Sequence, residues 1–289
     1  MMLIFFTMSL YGILVTAFSL LYFGSFSATF DFFYGRILAG IWGESVNATT
    51  LVTFHSFSLA SLPLLSIQLK KRNFLTSVLL AILFIISSLI SFFVASRTAI
   101  LIILVAIVYT LIVNFSKKLI IIGSIISIDL GTIALVLRWQ ILAIGGDFSI
   151  ESHNLLVRLL STDLSQDYRF NAWAIILRNL SNYPLGQRLA PIEISYAHNL
   201  WLDITYEVGI IPTIFLLVFT VMTIVNSINI MKKKINEEIK ILWGSMNVSF
   251  YIIFMTEPIL QVNALMFFVY CFICGMIFKI KDLELSYGE

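Results

Sequence analysis

Apolar positions run on for the length of whole helices in this chain, instead of alternating with polar ones, and clusters of basic or turn-forming residues punctuate the runs. Such stretches read as bilayer-crossing helices, because the hydrocarbon core needs roughly 20 residues of helix to cross it. The pattern predicts eight spans, at about 3–23, 48–69, 74–95, 98–115, 119–137, 204–229, 241–257 and 262–279. Lys70-Lys71-Arg72 closes the second, Ser96-Arg97 the third, Lys117-Lys118 the fourth and Arg138-Trp139 the fifth. The seventh and eighth form a hairpin around Glu257-Pro258. The first stretch, MMLIFFTMSLYGILVTAFSLLYFG, has neither a basic n-region nor a small-residue cleavage site, so it reads as a retained span. The expected fold class is all-α: a polytopic transmembrane bundle of about eight helices with one long outer loop carrying amphipathic helices. Its expected parts are five spans in 1–137, a loop in 138–203, and three spans with a short tail in 204–289.

The loop divides in two. NLLVRLLSTDLSQDYRFNAWAIILRNL is expected to form an amphipathic helical segment lying on the bilayer surface. SNYPLGQRLAPIEISYAHNLWLDITYEVGIIP then turns through Pro184, Gly186 and Pro191 and returns to the membrane near His198.

Composition agrees with the membrane reading. The chain is 60% hydrophobic and only 12% charged, against about 25% charged residues in an ordinary soluble domain. A net charge of +2 and the lack of any basic tail or basic–aromatic patch give no footing for nucleic acid. Orientation follows from the basic residues. With the N-terminus in the cytoplasm, 11 of the 18 fall inside, including every lysine. The remaining seven are Arg36, Arg97, Arg138, Arg158, Arg169, Arg178 and Arg188, all outside and all arginine. Both termini are therefore expected to be cytoplasmic and the 138–203 loop outside.

An outer face with arginine but no lysine changes the chemical question. Arginine presents a planar fork of donors that matches phosphate bidentately and stays charged in poor solvent. The set suits a lipid-linked phosphate or diphosphate; equally, it could pair with Asp147, Glu151, Asp163, Asp167 and Glu193 at the interface. Among the three histidines, His55 lies mid-span and reads as a packing or hydrogen-bonding residue, and His153 shows no partner pattern. His198 stands at the mouth of the sixth span beside Asn199, with Asp203 and Glu207 spaced four and eight residues beyond Asn199. An imidazole there could take a proton from a sugar hydroxyl, or simply cap a helix. No H-x-x-x-H, D-x-D or E-x-x-H spacing occurs outside, so no metal and no other cofactor is expected. Cys271 and Cys274 form a C-x-x-C inside an apolar run with no second pair or nearby histidine, and read as helix packing. No P-loop or G-x-G-x-x-G sequence is present, which argues against a cytosolic nucleotide-sugar donor.

These residues together resemble the O-antigen polymerase and O-antigen ligase family over roughly residues 30–275. Arg97-Thr-Ala-Ile-Leu101 fits the family's R-x-x-x-L pattern, and His198-Asn199, nine residues, then Gly209 fits its second pattern. Between them YRFNAWAIILRNLSNYPLGQRL resembles the family's loop segment, and GRILAGIWGESVNATT is a weaker echo of its Arg-Leu-x-Gly stretch. The resemblance implies a polyprenyl-diphosphate-linked oligosaccharide substrate on the outer leaflet of the bacterial plasma (inner) membrane, and metal-independent chemistry. Carried over, Arg97 and Arg169 hold the diphosphate and His198 is the base. Asn199 fixes the turn or a sugar hydroxyl, and Arg36, Arg188 and Glu207 join the candidate substrate-binding set. A chain-length regulator and a flippase are the implied partners, beside the undecaprenyl-linked substrate and membrane lipid. The second pattern departs at Pro212, where the family has Gly, Thr or Tyr. Family members also usually carry more spans ahead of the first one, so the chain reads as a short member or as part of a longer gene product. Polymerisation of repeat units for O-antigen or capsule is the first expectation; transfer of finished polymer by a ligase is the second. A polysaccharide-lipid transporter or a non-catalytic scaffold are the readings from other classes. Catalysis needs Arg97, Arg169 and His198 around one outer cavity.

Overall fold

The computed structural model describes residues 2–22, 37–39, 45–94, 96–113, 168–188, 190, 194–233 and 235–287. These are helical apart from one short ribbon and the connecting turns. In chain order they comprise α1 (Met2–Tyr22), β1 (Ile37–Ala39), β2 (Ser45–Asn47), α2 (Ala48–Leu59), α3 (Leu62–Lys70), α4 (Phe74–Phe93) and α5 (Arg97–Val113). There follow α6 (Tyr168–Asn179), α7 (Leu200–Val208), α8 (Ile210–Met231), α9 (Glu237–Thr256), α10 (Ile259–Val262) and α11 (Ala264–Tyr287). Among the described residues five stretches are long and apolar enough to cross a membrane: Met2–Tyr22, Thr49–Lys70, Phe74–Phe92, Ile210–Met231 and Glu237–Thr256. Arg97–Ile112 and Ala264–Lys279 are apolar but shorter. The expected fifth span, about 119–137, and the first half of the expected loop helix lie outside the described residues.

The chain forms two compact units, one from Met2–Ser161 with Ile241–Ser249 and one from Thr162–Lys240 with Phe250–Glu289. In the first, α2 and α3 are buried along nearly all their length and pack against α1, α4 and α5. Their alignment breaks at Ala60–Ser61, where Pro63 enters α3 in its first turn, a position at which the missing N–H costs nothing. Ser245 Oγ donates to the buried Ala60 carbonyl at this break (2.6 Å), so that acceptor is satisfied without water. Gly12 lets α1 approach α2 closely: a Cβ there would stand 3.1 Å from that of Phe54. His55, wholly buried, ties three helices together through Thr16 Oγ1 (3.3 Å) on α1 and Ser87 Oγ (2.9 Å) on α4. It is the hydrogen-bonding residue that its mid-span position suggests. The antiparallel ribbon, with Ile37 opposite Asn47 and Ala39 opposite Ser45, is an addition to the expected all-helical fold.

In the second unit α8, α9 and α11 meet through aromatic rings, with Tyr270 in contact with Phe219, Phe250 and Phe254. Hydroxyl bonds bind the same helices: Thr223 to Tyr251 (2.6 Å) and Tyr270 to Tyr251 (2.9 Å). Where helices of this kind cross a membrane, such bonds supply glue that the hydrophobic effect cannot. The hairpin expected at Glu257-Pro258 is present, with α9 ending at Thr256 and the single turn α10 following Pro258. The apolar helix expected from about 204 begins instead at Ile210, because the helix breaks at Gly209.

Candidate functional site

The second unit carries the described part of the expected outer loop, and its construction starts at the break between α7 and α8. Gly209 has φ +92°, a left-handed conformation that only glycine adopts freely. A Cβ there would run into the backbone of Pro184 and Leu185, and one on Gly186, at φ +118°, would stand 2.9 Å from the Glu207 carbonyl. The Pro184–Gly186 turn is thus laid directly against the end of α7. Its backbone serves the groups orphaned by the break: Gln187 N donates to Tyr206 O (2.7 Å), and Ile210 N donates to Pro184 O (2.8 Å). The Gln187 side chain, fully buried, donates through Nε2 to Ile176 O (2.8 Å), closing a carbonyl near the end of α6.

α6 in turn holds the segment that leads to His198. Trp173 Nε1 donates to Ala197 O (2.7 Å), and Ser195 N donates to Tyr168 Oη (3.2 Å). Ala172, Ile176, Ile194, Ala197 and Tyr206 form the small core between these elements. Asn199 caps α7, its Oδ1 accepting from Trp201 N and Leu202 N, both at 3.2 Å. The Asn199 Oδ1 is thereby engaged as the cap of α7.

His198 lies between these restraints with φ 54°. Positive φ is uncommon outside glycine, though His adopts it more readily than most residues, and it persists where the surroundings over-determine it. The ring is half-buried and meets Tyr196 edge to face, with centroids 4.9 Å apart. Beneath the turn, Asp203 is completely buried, and its Oδ1 accepts from Ala197 N at 2.6 Å. Burial pushes its carboxyl up to about 6, against the pull of the Ala197 and Asn199 amides and with the help of the Glu207 charge. Oδ2 meets no donor at hydrogen-bonding geometry, and Gln261 on α10 is close enough to stabilise the anion only weakly.

The remaining predicted residues fall as follows. Arg169 sits on α6, half-buried, directly after Tyr168. Arg188 and Glu207 pair with each other at 3.1 Å, with Arg188 largely exposed. Arg97 begins α5 in the other unit, half-buried, where Ser96 Oγ accepts from Ala99 N (3.2 Å). Arg36 lies outside the described residues. Among the described residues no group of three His, Cys, Asp or Glu is placed to hold a metal ion.

The chain matches no family model, no curated protein and no solved structure. The functional reading therefore rests on the residues themselves. Sequence reasoning passed over Trp173, Tyr168 and Gln187 as functional supports, since none carries the chemistry and each acts on backbone 11 to 27 residues away. Asp203 left a signal, an acidic residue in the first turn of a helix capped by Asn199, which the spacing alone does not separate from ordinary dipole pairing.

Proposed function

We propose that the chain is a multi-pass membrane glycosyltransferase that polymerises undecaprenyl-diphosphate-linked oligosaccharide repeat units for a surface polysaccharide. In this reading eight spans cross the bacterial plasma membrane, both termini are cytoplasmic, and the 138–203 segment works on the opposite side. The observation that carries it is the His198 turn. An imidazole is presented on strained backbone, pinned by Asp203, Asn199 and Trp173, one short helix ahead of an apolar helix long enough to span. A histidine that merely capped a helix would be redundant, because Asn199 already caps α7. Exposed Phe170, Leu177 and Leu185 on the same folded segment suit contact with a lipid surface.

The chemistry then runs in one displacement. His198 takes the proton of an acceptor sugar hydroxyl as its oxygen bonds to the anomeric carbon of the donor. The bond from that carbon to the diphosphate breaks, and the polyprenyl diphosphate departs with the electron pair. General-base help of this kind contributes typically ~10²–10⁴-fold. Fixed guanidinium donors offset charge growing on a departing group, and the family resemblance gives that task to Arg97 and Arg169.

Two variants test the reading in cells that depend on this chain for surface polymer. His198→Ala is expected to abolish long chains and leave single repeat units at the surface, and Arg97→Lys to do the same to a lesser degree. Loss of all surface-exposed repeat units, with lipid-linked units retained on the cytoplasmic side, would point to a transporter. Normal chain lengths in His198→Ala would remove the base from the proposal.

A further inference from the structure

Asp203 is an odd residue to find beneath the His198 turn. Its structural task, accepting from the Ala197 amide beside the favourable Asn199 amide, is within the reach of an asparagine. A carboxyl is there instead, wholly buried, with one oxygen lacking a well-formed hydrogen bond. Burying an ionisable group without full pairing opposes folding, so packing gives no reason for the acid. Its placement does. The amide that it holds belongs to the residue immediately before His198, and the carboxyl lies under the same turn of backbone.

We propose that Asp203 is a positioning residue for His198: its carboxylate fixes the Ala197 amide, and with it the strained backbone that presents the imidazole, while its negative charge favours the imidazolium formed when His198 takes up the acceptor proton. The inference rests on the glycosyl-transfer reading, because it uses the same histidine as base. No proton passes to Asp203. The proton moves from the acceptor hydroxyl to the imidazole, the new bond forms between that oxygen and the anomeric carbon, and the diphosphate leaves with the electrons of the broken bond. The buried anion acts through charge, which a poorly hydrated setting screens little.

The surroundings of Asp203 limit what else could supply this charge. α7 packs against α6, α8 and α10. α8 and α10 contain no ionisable side chain, and α6 contributes only Tyr168 and the cationic Arg169 and Arg178. On α7 itself stand Tyr206 and Glu207, and Glu207 is paired with Arg188. The nearby loop adds Tyr183, Tyr196 and His198. Among the described residues of these helices Asp203 is thus the one buried carboxyl, and a second, Glu257, stands just ahead of α10.

The test uses the full chain in liposomes supplied with lipid-linked repeat units, and compares wild type, His198→Ala, Asp203→Asn and Asp203→Glu. Asp203→Asn keeps an oxygen for the Ala197 amide and loses the charge. It is expected to accumulate at wild-type level, to lower kcat about tenfold or more, and to leave KM nearly unchanged. It is also expected to move the acid limb of the pH profile to lower pH, because an imidazole without its anion gives up its proton more readily. The limb should also become shallower, since one of two ionisations is gone. Asp203→Glu keeps the charge and should keep the limb near its wild-type position. An Asp203→Asn protein with wild-type kcat and an unmoved limb overturns the proposal while leaving the base intact. So does an Asp203→Asn protein that fails to accumulate, since the carboxylate would then be there for folding. If His198→Ala is as active as wild type, it is the glycosyl-transfer reading that has failed.

Discussion

A single buried carboxyl shows how the stability of this protein should depend on pH. Asp203 titrates at about 6 in the folded chain, up from 3.8, chiefly because burial disfavours its charge. A group that holds its proton more tightly folded than unfolded adds stability that is complete below about pH 4 and lost as pH climbs through about 6. The displacement corresponds to about 3 kcal/mol at most. Asp203→Asn should therefore raise the melting temperature of the detergent-solubilised protein near pH 8, and the advantage should vanish near pH 4. Thermal scans at the two values decide it. A variant less stable than wild type near pH 8 would mean that the extra strength a carboxylate gives the hydrogen bond to the Ala197 amide outweighs the burial of charge.

Among the elements, the docking of Pro184–Gly186 onto the α7–α8 break is where motif and geometry part company. The sequence shows His198-Asn199 followed at fixed distance by Gly209, and separately a Pro-x-Gly in the loop. The structure makes these one feature, since Gly209 is glycine so that the Pro184–Leu185 backbone can lie against it. Hydropathy reads straight through Val208-Gly209-Ile210, because it registers composition and not a φ of +92°. The ribbon of Ile37–Ala39 with Ser45–Asn47 escaped notice for a related reason: three-residue runs are too short to show a period of two. Gly209→Ala should cost at least about 2 kcal/mol, from the left-handed backbone and the overlap together. Gly275→Ala on α11, where an added Cβ meets nothing within 4 Å, is the control and should cost nothing. Melting temperatures of the two variants in detergent test the contrast, and equal losses would show that the break is not a close-packed joint.

At the scale of the whole molecule, the long helices were legible because an apolar run of that length has few other fates, and α1, α2–α3, α4 and α9 begin within a few residues of the expected positions. The site was legible in part. His198 and Asn199 stood out by type and place at a helix mouth, whereas the pairing of Arg188 with Glu207, 19 residues apart, depends on a fold that sequence spacing does not encode. Sidedness belongs to the same scale, and it rests on where lysine is found. Every lysine falls on the face opposite the loop when the spans alternate, and cytoplasmic flanks attract exactly such residues through the insertion machinery's positive-inside bias. The consequence can be read with a membrane-impermeant maleimide in a background where Cys271 and Cys274 are replaced. Leu185→Cys, on an exposed side chain of the site-bearing segment, should react in intact cells. Lys71→Cys, in the exposed turn between α3 and α4, should react only after permeabilisation. The reverse pattern would put His198 on the cytoplasmic face, out of reach of any donor on the outer leaflet, and no arrangement of arginines could then rescue the proposed reaction.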